Sequence, residues 1–280
     1  HVRYVGTDSH LDAPLSEAQP SYPVLVYSHG WNGFLTVDTS LMQELASHGY
    51  VVISVEHTYG ALLSVFPDGR VAYNNPAALP FGLPDEEYYA AANRLVTQWA
   101  DDIAFTLDTL AEMNAGDVAH DFQGGLDLER VGVFGHSFGG GASVEFCARD
   151  PRCRAGVGLD AYVIPVTEPL RRDGLRQPFL FLFSESWPSE PNTTIFDEIF
   201  SQSDDAAVFT ILGTSHYDFT DLPMMSPIAP QLGLKGPLDG ERVVQIIDAY
   251  TLALFDRALN GQPTALLDGP SPAYPEVVQP

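Results

Sequence analysis

The sequence predicts an α/β fold in which helices cover both faces of a mainly parallel central sheet. Three observations carry this. Apolar, β-branched runs alternate along the chain with longer stretches of helical character. The runs are apolar almost throughout, as in strands buried on both faces. Gly135-His136-Ser137-Phe138-Gly139 stands directly behind one of them, Val131-Gly132-Val133-Phe134. A small-x-Ser-x-small pentapeptide in that place reads as a sharp strand-to-helix turn, a nucleophile elbow.

The first predicted strand is Tyr22-Pro23-Val24-Leu25-Val26-Tyr27, followed by a helix over 39–48 and a strand over 50–55. Residues 58–84 hold Pro67-Asp68-Gly69 and further prolines. They are too many for a simple connection, and read equally as a lid, a substrate-binding loop or a passive surface excursion. A helix over 84–114 leads to the strand over 131–134. The helix over 138–149 opens with Gly139-Gly140-Gly141, a small first turn that lies close against a sheet. Strands over 155–159, 178–183 and 206–212 alternate with a helix over 193–202, and a last helix covers 240–260. The tail 267–280, with Pro270, Pro272, Pro275 and Pro280, is expected to be extended and pinned to the surface. No internal repeat interrupts this order, and residues 1–280 are expected to form one domain.

The chain carries 37 acidic side chains against 13 basic ones, among which Lys235 is the single lysine, for a net charge of −24. That field disfavours nucleic acid and anionic substrates and favours neutral ones. It fits a saline source and an acidic secreted protein equally well. No run of 18 or more apolar residues is present, so no membrane span is expected. The chain starts at His1-Val2-Arg3-Tyr4, without a methionine or an apolar leader. A processed form is expected, secreted or extracytoplasmic, with a cytoplasmic location left open. Oligomeric state is not readable.

Cys147 and Cys153 stand near the end of the post-serine helix and just before the next strand. They could close a small disulfide or pack reduced in the interior. No His/Cys grouping has metal-site spacing, and neither metal nor cofactor is expected.

A serine hydroxyl needs a histidine to take its proton and a carboxylate to orient that histidine. The chain order serine, acid, histidine of α/β-hydrolases leaves His216, the one histidine of eight beyond His136. It lies in Gly213-Thr214-Ser215-His216-Tyr217-Asp218-Phe219, past a predicted strand. Asp160 ends Gly156-Val157-Gly158-Leu159-Asp160 and would face the same rim as Ser137. Asp150, Asp173, Asp197, Asp204, Asp205, Asp218 and Asp221 compete for that role, and none directly ends a strand. The tetrahedral intermediate needs two N–H donors. Phe138 supplies one, and Trp31, in Ser28-His29-Gly30-Trp31-Asn32-Gly33 behind the first strand, the other. Trp31, His136, Tyr162 and Tyr217 are the expected substrate-binding residues.

Taken together, these residues resemble the plasma-type platelet-activating-factor acetylhydrolase family of α/β-hydrolases. The similarity lies in His29-Gly30, in Leu45-Ala46-Ser47-His48-Gly49-Tyr50 followed by Val55-Glu56-His57, in Gly135-His136-Ser137-Phe138-Gly139-Gly140, and in Gly158-Leu159-Asp160-Ala161 with Gly213-Thr214-Ser215-His216. It spans about the first four-fifths of the chain. The resemblance implies Ser137, Asp160 and His216 as triad, Trp31 and Phe138 as oxyanion hole, and calcium-independent hydrolysis of esters with short or oxidised acyl chains. Cutinase-type polyester hydrolases share much of this pattern, so a polymeric ester is the alternative substrate. Phe138 stands where they commonly carry methionine, and residues 58–84 depart from their compact plan. A non-catalytic binding module is the third reading, disfavoured because all three triad members are present in order.

Overall fold

The structure is a computed structural model and describes residues 7, 9–80, 82–117, 122–187, 189–225 and 228–280. His1 to Tyr4 lie outside the described residues.

The first strand, β1, is Tyr22–Ser28, with every residue buried. Helix α1 (Thr39–Ser47) turns the chain back to β2 (Val51–Val55), which pairs parallel with β1. Residues 58–84 contain an antiparallel hairpin, β3 (Leu63–Val65) and β4 (Val71–Tyr73), around the turn at Gly69, where φ is 82°. Helix α2 (Asp85–Ala115) runs 31 residues and stops at Gly116, which takes the left-handed conformation that suits glycine. Its buried stripe, Ala92, Val96, Trp99, Ala100, Ile103, Leu107 and Leu110, keeps the three-and-four spacing of one helix face.

Strand β5 (Leu126–His136) starts five residues before the predicted one. Leu126-Asp127-Leu128-Glu129-Arg130 alternates apolar with charged residues and is only partly buried, so it lacks the signature of a strand covered on both faces. Helix α3 (Phe138–Arg149), β6 (Cys153–Leu159), a short α4 (Glu168–Asp173), β7 (Phe179–Ser184), α5 (Asn192–Gln202) and β8 (Ala206–Ile211) follow. A 3₁₀ turn over His216–Phe219, α6 (Leu222–Met225), α7 (Gly240–Asn260) and β9 (Val277–Val278) complete the order. The tail, expected to be extended, runs through successive turns, with Tyr274 N–H donating to Ser271 O and Val277 N–H to Tyr274 O, before β9 joins the sheet antiparallel to β8.

The seven-stranded sheet runs β2-β1-β5-β6-β7-β8-β9 and is parallel except at β9. Alternate residues of each strand enter separate cores. Val24 and Val26 pack with Trp99, Ile103, Phe138 and Phe146 of α2 and α3. Leu25 and Tyr27 pack with Leu41, Leu45, Ile246 and Phe255 of α1 and α7. Both faces are thus covered, and the carboxyl ends of β1, β5, β6 and β8 share one rim. Among the described residues no helix is long and apolar enough to cross a membrane. Cys147 and Cys153 form a disulfide, Cα atoms 5.0 Å apart, between the end of α3 and the start of β6.

Candidate active site

Ser137 sits between β5 and α3 at φ 55° and ψ −120°, a conformation that L-residues rarely adopt and that costs about 1–3 kcal/mol. Its surroundings enforce it. A Cβ on Gly139 would overlap the carbonyl oxygens of Ser28 and His29, and one on Gly135 would overlap the carbonyl of Gly139. Ser137 N–H donates to Leu159 O at 2.9 Å, and its carbonyl accepts from Tyr162 N and Gly141 N. The backbone is therefore committed on both sides, and the half-buried side chain is held at the rim.

Asp160 follows β6, whose Leu159 pairs with His136 of β5, so it stands one strand away from the serine. It too has positive φ, 45°, and is fully buried. Its carboxylate accepts Ser184 N–H at 2.5 Å, Ser184 Oγ at 2.7 Å and His216 Nδ1 at 3.1 Å. Burial pushes the Asp160 carboxyl up, and the two Ser184 donors oppose that. With Nδ1–H given to the carboxylate, His216 keeps the lone pair on Nε2. Burial lowers its pKa to about 4, so the imidazole is the free base at neutral pH.

His216 opens the 3₁₀ turn behind β8. Asp218 Oδ2 braces that turn by accepting Ser215 N–H, Ser215 Oγ and Gly236 N–H. Asp218, a competitor for the role expected of Asp160, is thus spent on holding the His216 turn. Trp187 stacks on the His216 ring, centroids 3.8 Å apart and planes 14° apart.

The loop behind β1 passes directly over the serine: a Cβ on Gly30 would lie 3.2 Å from Ser137 Cβ. Trp31 comes next. Phe138 is the first residue of α3, where the amide has no acceptor within the helix. Among the described residues, neither Trp31 N–H nor Phe138 N–H is given to a protein acceptor. The rings of Trp31, Phe138 and Tyr162 form a row with centroid spacings of 6.3 and 6.1 Å. Tyr217 is 43% exposed and meets His216 edge-on.

His136 is placed differently from the other expected substrate-binding residues. It is only 4% exposed, and its Nε2–H donates to His216 O at 3.0 Å, which ties the elbow to the His216 turn. The structure brings Ser137, Asp160, His216, Trp31, Phe138, Tyr162 and Tyr217 to one rim. It adds three residues not foreseen. Ser184 ends β7 beside Asp160, and its place at a strand end was the available signal. Trp187 left no signal in the sequence. Asn192 holds the turn after Asp160 through Val163 N–H and Ala161 O.

A parallel sheet that feeds a strained serine into a helix, beside a carboxylate and imidazole joined across later strands, makes this chain an α/β-hydrolase. More narrowly, it belongs to the family described as platelet-activating factor acetylhydrolase, isoform II, whose pattern matches residues 2–264. The platelet-activating factor acetylhydrolase of Cavia porcellus is 27% identical over 267 residues, covering 89% of this chain and 60% of that protein. A probable 1-alkyl-2-acetylglycerophosphocholine esterase of Arthroderma benhamiae is 25% identical over 298 residues, covering 97% of this chain and 68% of that protein. The chain thus spans about three-fifths of the length of the vertebrate relatives it matches. The solved structure of a ferulic acid esterase from Streptomyces cinnamoneus superposes with a TM-score of 0.78 at 29% identity, covering 92% of this chain and 74% of that one.

Proposed function

We propose that this chain, residues 1–280 acting as one domain, is a serine carboxylesterase that hydrolyses short-chain or small neutral esters through an acyl-enzyme. Ser137 Oγ attacks the ester carbonyl carbon while its proton passes to His216 Nε2. The carbonyl π pair moves onto oxygen, and the Trp31 and Phe138 amides bind that oxyanion. As the tetrahedral species collapses, His216 gives the proton to the departing alcohol. Water then repeats the sequence on the acyl-enzyme, and Asp160 holds the imidazolium in both halves.

The observation that carries this reading is the Asp160–His216 bond at the rim where the elbow holds Ser137. The names of the relatives support it, since they are acetylhydrolases and esterases. The net charge of −24 favours uncharged esters. The disulfide favours an oxidising, extracytoplasmic location.

The half-buried rings of Trp31 and Tyr162, on either side of the buried Phe138, favour a second substrate class, esters of small aromatic acids. The likeness to a ferulic acid esterase agrees with this. The test is a series of acetyl, butyryl, palmitoyl and feruloyl esters beside an aromatic polyester film. Highest kcat/KM on acetyl, butyryl or feruloyl esters supports the proposal. Preference for palmitoyl ester or film would overturn the substrate class, and no turnover on any would favour a binding module.

A further inference from the structure

A second Ser–His–Asp chain lies behind the oxyanion loop. Ser28 closes β1, His57 stands two residues past β2, and Asp102 is on α2. His57 Nδ1 is 2.8 Å from Asp102 Oδ2, and His57 Nε2 is 2.9 Å from Ser28 Oγ. The carboxylate can only accept, so Nδ1 carries the proton, Nε2 accepts, and the Ser28 hydroxyl donates. Burial lowers the His57 pKa to about 4, which preserves that polarity at neutral pH. The residue types repeat those of Ser137, His216 and Asp160, yet Ser28 is wholly buried and the His57 ring lies flat on the Trp99 indole at 4.0 Å. No ester can reach it.

What the chain holds is the loop over Ser137. His57 N–H donates to His29 Nε2 at 3.2 Å, which puts the His29 proton on Nδ1, and that proton goes to Gly30 O at 2.8 Å. Gly33 N–H donates to the same carbonyl at 2.8 Å. Gly30 C=O and Trp31 N–H belong to one planar peptide and point in opposite directions. Two donors on the carbonyl therefore set where the amide points. On the far side of Trp31, Asn32 N–H donates to Gly60 O, and Gly60 and Ala61 N–H both donate to His57 O.

We propose that Ser28, His57 and Asp102 are positioning residues that lock the Gly30–Trp31 peptide with its N–H turned to the oxyanion, so that the hole is formed before substrate arrives. This rests on the reading of Trp31 as an oxyanion donor. Reversal of that peptide would break both bonds to Gly30 O, and the network opposes it from a site no substrate touches.

Ser28→Ala and Asp102→Ala test this with an acetyl ester and a trifluoromethyl ketone. The ketone adds Ser137 Oγ to its carbonyl carbon, passes the hydroxyl proton to His216 and leaves a negative oxygen in the hole. In each variant kcat falls about tenfold to a hundredfold with KM within twofold, and the inhibition constant weakens by the same factor. Titration with a fluorophosphonate counts competent sites, so the loss is read per folded molecule, and Ser28→Thr, which keeps the hydroxyl, restores activity. Wild-type kcat in both folded alanine variants, or loss of kcat with unchanged ketone affinity, overturns the proposal. Should both fail to fold, Asp102→Leu carries the same comparison, because Asp102 is a third exposed and leucine fills its space without an acceptor for His57 Nδ1–H. Ser137→Ala runs alongside: activity surviving there would sink the assignment of the site itself, whatever Ser28 does.

Discussion

Ser184 gives both its backbone N–H and its hydroxyl to the carboxylate of Asp160, and the hydroxyl shares Oδ2 with His216 Nδ1. A buried carboxylate at that place needs such donors, since burial alone favours its neutral form. Ser184→Ala removes one of three donors and frees Oδ2 to drift from His216. A charge-assisted bond of this kind contributes about 1.5–3 kcal/mol, so kcat falls roughly tenfold to a hundredfold with KM little changed. Steady-state kinetics on an acetyl ester checks this, and Ser184→Thr, which keeps both donors, retains most of the activity.

His216 accepts a proton only as the free base. Its pKa is lowered to about 4, so protonation removes activity below that value and leaves a plateau above it. The acid limb of kcat/KM therefore has its midpoint near pH 4, well under the ordinary histidine value of about 6.5. A profile from pH 3 to 8 reads this directly; a midpoint at 6.5 would mean that His216 is hydrated in solution.

Asp248 on α7 has its pKa raised from 3.8 to about 7, by burial first and then by Glu44 and Asp221. Its Oδ1 is buried and has no hydrogen-bond partner among the described residues. Because the folded value lies above the unfolded one, the cost of ionisation is absent below about pH 4, grows as pH rises, and is complete above about pH 7. Asp248→Asn removes the charge and keeps the shape. It raises stability at pH 8 by on the order of 2 kcal/mol and leaves it nearly unchanged at pH 4. Urea unfolding at both pH values is the measurement.

The Cys147–Cys153 bridge closes a short loop, for which restriction of the unfolded chain contributes about 2 kcal/mol. It lies at the far end of α3 from Ser137. The Cys147→Ser, Cys153→Ser double variant therefore unfolds at lower denaturant with kcat per active site unchanged.

The six strands read from the sequence were legible because each run is largely apolar, most completely in β1 and β7, where every residue is buried. The first half of β5 escaped because it is half-exposed and alternates. The β3–β4 hairpin escaped for a related reason: Leu63, Val65, Val71 and Tyr73 face outward, so burial imposes no pattern on them. In the site, Ser137 announces itself through the glycines its turn requires, and Asp160 and His216 through chain order and strand ends. Trp187 and Asn192 act through contacts far apart in the chain, with no local spacing to betray them. His57 was visible as part of a resembling block, but its bond to Asp102 exists only once α2 packs beside β2.

The central claim is that Ser137 is an activated nucleophile served by His216 and Asp160. Intact mass after exposure to a fluorophosphonate, on the wild type and Ser137→Ala in parallel, tests it most directly. One adduct on the wild type, none on the variant, and ester turnover lowered on the order of 10⁴-fold or more in the variant are the predicted results. A folded wild type that takes no adduct, or a Ser137→Ala protein that is labelled and turns over like the wild type, would contradict the account.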